Sequence, residues 1–451
     1  MLGVIAIIST LVALMYFAYR GITVLILAPI LAMIAALLAG EIPALYALSE
    51  TFMPAAAGYI TSYFPVFLTG AIFGKLMGVT GAANAIAEFI SEKFGEKRAI
   101  TAVVIATALL TYGGVSLFVV VFAIYPIGAT LLRRADIPKR LLPGAIALGG
   151  FTFTMTALPG TPQYINTMPT LYFGTDIYAG PVLGILASAI ILGGGLTYLN
   201  WRARTLKAKG EGYGEHPDEE IHEMNDKLPG IGLAITPIII VFVLNFVFTN
   251  WYFKMDSVIG KYEALDSAVN GTWPVILGLG VAIIFILITM RKFIANTNKT
   301  VFDGAVGSLL PIFNTASEVG YGGVIKSLAA FTTVKTGIVA LAIPSIFKVG
   351  ISTTLLAGIV GSSSGGTAIA LEVLSEEFLA MGIAPGALHR IMLVAAGGLD
   401  SLPHCGAVIT LLAVCKLTHK ESYKDIAFNT MILPIIAVLV ISLFYLITGI
   451  Y

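Results

Sequence analysis

Charge is scarce in this 451-residue chain. Lys and Arg number 26 and Asp and Glu 25, together 11% of the residues, against about 25% in an ordinary soluble domain. So few charges cannot coat several soluble domains. The net charge of +1 removes the electrostatic basis for nucleic-acid binding. Cysteine is almost absent. Cys405 and Cys415 are too few for a disulfide framework or a metal cluster. HExxH, CxxC, a strand-linked GxGxxG and a Walker pair are all missing, so the sequence predicts no enzyme, no cofactor, no metal and no ATP-driven transport.

What the chain has is apolar length. Hydrophobic residues make up 57% and the mean hydropathy is +0.93. One membrane span takes about 20 apolar residues, so roughly ten to twelve spans fit. The apolar runs are continuous, which excludes the period-two alternation of a β-barrel. The expectation is an all-α polytopic membrane protein in a lipid bilayer. Leu2–Tyr19 lacks a basic leader region and reads as a first span rather than a signal peptide. One strongly polar stretch, residues 201–228, interrupts the pattern near the midpoint. It reads as a linker between an N-terminal membrane repeat, 1–200, and a C-terminal one, 229–451.

Basic clusters at Lys93/Lys97/Arg98, Arg133/Arg134/Lys139/Arg140, Arg202–Lys209, Arg291/Lys292/Lys299 and Lys416/Lys420/Lys424 belong on the cytoplasmic side of an inner membrane. One threading puts all five there, with the linker cytoplasmic. It makes 99–132 and 337–380 re-entrant helical hairpins that return to the side they came from, and it leaves two further helices broken. Short motifs recur in the same order in both halves: Pro65-Val66-Phe67 with Pro311-Ile312-Phe313, Gly113-Gly114 with Gly365-Gly366, Gly149-Gly150 with Gly397-Gly398, and Leu158-Pro159 with Leu402-Pro403, spaced by 246, 252, 248 and 244 residues. Hairpins from opposite sides and repeated motifs describe the inverted-repeat plan of secondary transporters.

Four broken segments should meet near the midplane. The substrate-binding candidates they supply are Tyr112, Gly113, Gly114 and Ser116 at the first hairpin tip, Thr161 and Gln163 at the first break, and Ser362, Ser363, Ser364, Gly365, Gly366 and Thr367 at the second tip. Gly and Pro free backbone groups, and half-helix N-termini suit an anionic carboxylate. Close packing by small residues is the plain alternative. Thr367 stands where a phosphate loop needs Lys. Ionisable residues at membrane depth usually serve function. Asp400, His404 and Glu372 are the proton-coupling candidates. Glu318 is a weaker one, and His216, His222, His389 and His419 read as solvated loop residues.

Glu50-Thr51-Phe52-Met53-Pro54, Gly361 through Gly366, Gly397-Gly398-Leu399-Asp400-Ser401-Leu402-Pro403-His404 and Ser422-Tyr423-Lys424-Asp425 resemble the gluconate permease family of proton-coupled carboxylate symporters. Tyr19-Arg20-Gly21 and Pro159-Gly160-Thr161-Pro162-Gln163 look closer to its 3-hydroxybutyrate permease branch. The resemblance implies import of a small hydroxy acid with a proton, by an elevator-type homodimer of the ion transporter superfamily. Cys405 departs from the pattern, standing where a polar residue such as Asn is expected. Sodium coupling on the same fold is the first alternative. A channel or sensor is the second.

Overall fold

The computed structural model describes residues 2–20, 22–115, 117–216, 228–264, 272–403 and 405–451. Among these residues the chain is helical and contains no strand. Among the described residues nine longer helices fill the first part, besides the one-turn helix Phe153–Thr156: α1 (Leu2–Tyr19), α2 (Val24–Ala39), α3 (Ala44–Val79), α4 (Ala82–Phe94), α5 (Ala99–Tyr112), α6 (Leu117–Arg134), α7 (Leu142–Gly150), α8 (Tyr164–Phe173) and α9 (Pro181–Ala208). A similar succession follows in ten helices, besides the short helix Asp256–Glu263: α10 (Ile231–Asn250), α11 (Trp273–Thr289), α12 (Thr297–Gly307), α13 (Leu309–Ser327), α14 (Ala329–Val339), α15 (Ser345–Val360), α16 (Ser363–Ala380), α17 (Pro385–Ala396), α18 (Gly406–Val414) and α19 (His419–Thr448).

The packing partners recur as well. α1 lies on α2 as α10 lies on α11, α5 lies on α7 as α15 lies on α17, and α2 meets α13 as α11 meets α3. Four helices, α3, α9, the segment Ile231–Lys254 and α19, are long and apolar enough to cross a membrane. Large apolar side chains such as Ile8, Ile26, Val243, Ile284, Ile288 and Ile447 are exposed on the outer surface. In water such a surface would drive association, and in lipid it is solvated.

Proline shapes the two longest helices. Residues Ala47–Phe52 of α3 and Phe428–Ile432 of α19 are π-helical, and Pro54 and Pro434 follow them one residue later. A proline cannot donate to the carbonyl four residues back and crowds it. A wider turn just before each proline takes up the mismatch.

Two sequence boundaries move. The linker was expected from residue 201, but α9 continues to Ala208. Its last turns are held by Asp425 of α19, which is 1% exposed. Asp425 Oδ1 accepts from Arg202 Nε at 2.8 Å and from the Tyr198 hydroxyl at 2.7 Å. Removing one partner of a buried ion pair costs roughly 3 kcal/mol. Asp425→Ala is therefore expected to lower the unfolding midpoint in detergent clearly, and an unchanged midpoint would show that this clamp holds nothing. The second hairpin was expected from residue 337, but α14 ends at Val339 and the ascending arm starts at Ser345, behind Pro344. Pro344 disfavours helix in the residue before it, which separates the two helices.

Candidate functional site

α5 and α6 form the first antiparallel pair. The turn between them runs through Gly113, Gly114 and Val115, and Gly114 has φ +88°, a conformation that strains any other residue. Beside it the chain breaks after α7. Pro159 and Pro162 lack amide hydrogens, so the helical bonds that Ala157 N and Leu158 N still make to Phe153 O are not continued through residues 159–163. Side chains knit this break to the tip. Gln163 Nε2 donates to the carbonyls of Thr111 at 2.7 Å and Val115 at 3.1 Å. The Tyr112 hydroxyl donates to Pro159 O at 2.6 Å. Tyr112, Gly113, Gly114, Thr161 and Gln163 thus lie together. Ser116 falls outside the described residues.

α15 and α16 form the second pair. Gly361 closes α15 with φ +69°, and Ser362 caps α16 by accepting from Gly365 N at 3.2 Å. The first amides of a helix have no partner inside it, so this end offers donors and the positive end of the helix dipole. Three side chains surround it. Tyr164, the first residue of α8, faces Ser364. Asp400 lies within reach of Ser363 and accepts from the Ser401 hydroxyl at 2.7 Å. On another side Glu318 of α13 presses against Gly365, where an added Cβ would fall on its carboxylate oxygens. Glu318 is 4% exposed, and its Oε2 has no hydrogen-bond partner. Gln163 and Tyr164 are consecutive, so the first break touches both tips.

The remaining candidates separate from this cluster. Gly366 does not face a ligand space, because a Cβ there would land on the backbone of Ala357. It is the contact glycine between α15 and α16. Thr367 is fully buried behind it. Glu372 lies further along α16, where its Oε2 accepts from the Tyr172 hydroxyl at 3.3 Å. Glu372 lines a cavity of about 310 Å³ with Gly58, Tyr59, Tyr63 and Tyr172. His404 falls outside the described residues, so the Asp400–His404 pair is a sequence expectation only, and His222 lies outside them too. Gly361-Ser362-Ser363-Ser364-Gly365 formally fits the hydrolase pattern GxSxG, but it follows a helix, whereas the nucleophile elbow turns from a strand into a helix.

His389 corrects an expectation. It was read as a solvated loop residue, yet it sits in α17 and is fully buried. It meets Thr175 Oγ1 at 2.8 Å and Asn166 Oδ1 at 3.3 Å. Its neighbour Arg390 was not anticipated. Arg390 is fully buried and donates to Ala179 O at 2.8 Å, Thr156 O at 3.1 Å, Ile177 O at 3.3 Å and Asn166 Oδ1 at 3.2 Å. Thr156 O stands at the break after α7, and Ile177 O and Ala179 O belong to the loop that follows α8. The available signal was an arginine inside the apolar run 384–414. His419 also has a partner, Pro403 O at 3.0 Å, while His216 stays near Tyr213 O at 3.0 Å.

Comparison with known proteins places this arrangement. A family model described as GntP family permease matches residues 1–447. An uncharacterized transporter of Bacillus subtilis (strain 168), YxjC, is 44% identical, with 99% of each chain covered. An uncharacterized transporter of Haemophilus influenzae is 25% identical, with 86% of each covered. Among solved structures, the YdaH transporter of Alcanivorax borkumensis superposes with a TM-score of 0.51 over 87% of each chain at 15% identity, a likeness of fold.

Proposed function

This chain belongs to the GntP family of permeases, and from that membership we propose that it is a proton-coupled symporter of a small hydroxy-carboxylate, such as 3-hydroxybutyrate or gluconate. One observation carries the reading. The capped N-terminus of α16 meets two buried carboxylates, Glu318 and Asp400, in surroundings otherwise made of hydroxyls and apolar groups. Free amides and a helix dipole suit the substrate's carboxylate. Buried carboxylates beside an anion site suit a proton that travels with it.

In this reading the two helix pairs are re-entrant, the halves are inverted copies, and Tyr112, Gly113, Gly114, Thr161 and Gln163 shape the opposite wall of the site. The body that holds both tips moves as an elevator in an inner-membrane homodimer, with the polar linker cytoplasmic. Gln163, bonded to one tip and adjacent to Tyr164 at the other, supports movement of the two tips together.

The test uses purified protein in liposomes. An inward proton gradient is expected to drive labelled 3-hydroxybutyrate or gluconate to an internal level above the external one, and collapsing the gradient with an ionophore should remove the accumulation. Accumulation that requires sodium and ignores the ionophore would select sodium coupling. Absence of gradient-driven uptake across a broad carboxylate panel would end the proposal.

A further inference from the structure

Glu318 is a buried acid whose Oε2 has no hydrogen-bond partner, and it stands at the helix end proposed above for the anion. Its carboxylate abuts Gly365 in the first turn of α16, the turn whose free amides would hold a substrate carboxylate. A charged carboxylate buried with an unpaired oxygen costs several kcal/mol. A second anion at the same helix end adds like-charge repulsion in a medium of low dielectric. Asp400 is placed differently, because Ser401 and Ser363 supply hydroxyls to it. Of the two acids at the tip, Glu318 is the one left without donors for a charge.

A cavity also lies beside Glu318. Tyr59 of α3 is 5% exposed, and its hydroxyl has no hydrogen-bond partner. Tyr59 lines the 310 Å³ cavity with Tyr63, Tyr172, Glu372 and Val319, the residue next to Glu318. Glu372 is half-buried and bonded to Tyr172. The cavity thus reaches the residue beside Glu318, and neither the Tyr59 hydroxyl nor Glu318 Oε2 has a hydrogen-bond partner.

Resting on the symport reading, we propose that Glu318 is a proton-binding site whose charge competes with the transported carboxylate for the N-terminus of α16, and that the Tyr59–Tyr172–Glu372 cavity delivers the proton. Anion and proton then favour each other's binding, a reciprocal coupling free energy. One proton on Glu318 offsets one substrate charge. Among the described residues, other titratable groups near α13 are few. Tyr59 faces Glu318 from α3 and Tyr164 from α8. α2 carries none, Glu50 is exposed, and Lys326 pairs with Glu376 at the exposed end of the α13–α16 contact.

The experiment compares wild-type protein, Glu318→Gln and Glu318→Asp in proteoliposomes, with labelled 3-hydroxybutyrate and gluconate as probes. Glu318→Gln is expected to lose proton-driven accumulation by at least about tenfold while keeping exchange of internal for external probe, since the neutral amide mimics the protonated acid. Exchange should also lose its pH dependence. Glu318→Asp should recover part of the accumulation. Undiminished accumulation in Glu318→Gln overturns the assignment and leaves symport standing. Loss of accumulation and exchange together, unrecovered in Glu318→Asp, overturns it too. If the wild type itself shows no gradient-driven accumulation, the symport reading falls. An infrared measurement then judges Glu318 alone: a protonated-carboxyl C=O band present in wild type and in Glu372→Gln should vanish in Glu318→Gln, and its persistence overturns the proposal. Should Glu318→Gln fail to fold, Tyr59→Phe reads the route. It is expected to slow proton-driven uptake severalfold, and an unchanged rate overturns the route.

Discussion

Gly366→Ala is expected to abolish transport and to lower the unfolding midpoint sharply. The two arms of the second hairpin touch at this position, and the new methyl would land on the backbone of Ala357. A flexible side chain can swing aside, but a helix backbone in a packed bundle cannot. Overpacking costs about 1–3 kcal/mol, and more when backbone must shift. The shift would also spread the tip, pulling the Ser362 cap and the amides of α16 away from Glu318 and Asp400. Gly280→Ala in α11 is the control. A Cβ there meets open space, and Gly to Ala inside a helix gains roughly 0.5–1 kcal/mol. Equal midpoints for the two variants would show that the arms do not need this glycine.

Arg390→Ala should be nearly as damaging, for a different reason. The guanidinium reaches four acceptors, three of them backbone carbonyls: Thr156 at the break after α7, and Ile177 and Ala179 in the loop after α8. Each buried acceptor left unpaired costs about 1–3 kcal/mol, so a loss of at least about 3 kcal/mol is expected. Arg390→Lys should recover only part, because an ammonium cannot reproduce the planar fork. The readout is the yield of monodisperse protein together with the unfolding midpoint. A well-behaved Arg390→Ala protein of unchanged midpoint would mean that the break is held by other contacts.

Much of the architecture could be read in advance because it rests on composition. Long apolar runs predict helices wherever they stand, and Gly113-Gly114 and Gly361-Ser362 announce turns by their lack of side chains. The errors share a cause. The run from Gly337 to Ile343 is apolar throughout, and only Pro344 marks where α14 gives way to the hairpin. Gly366 reads as part of a binding tip because a small residue that ends a helix and one that lets two helices touch are the same residue in a sequence. Glu318 was visible as a lone acid in an apolar run. Its meaning comes from Gly365, 47 positions away, and no local pattern joins them. His389 reads as a loop residue and Arg390 as a lone charge in an apolar run, although the oxygens they bond lie more than 200 positions earlier. Pairings of that range come from the fold.

The central claim is that a carboxylate and a proton cross together. It is tested most directly by reversing the driving force. Protein-containing liposomes with equal pH inside and outside receive an inward gradient of gluconate, and a trapped dye reports internal pH. The account predicts acidification of the lumen that protein-free liposomes lack, because coupling between two ligands acts in both directions. Gluconate uptake without protein-dependent acidification, or uptake that proceeds only with sodium, would contradict it.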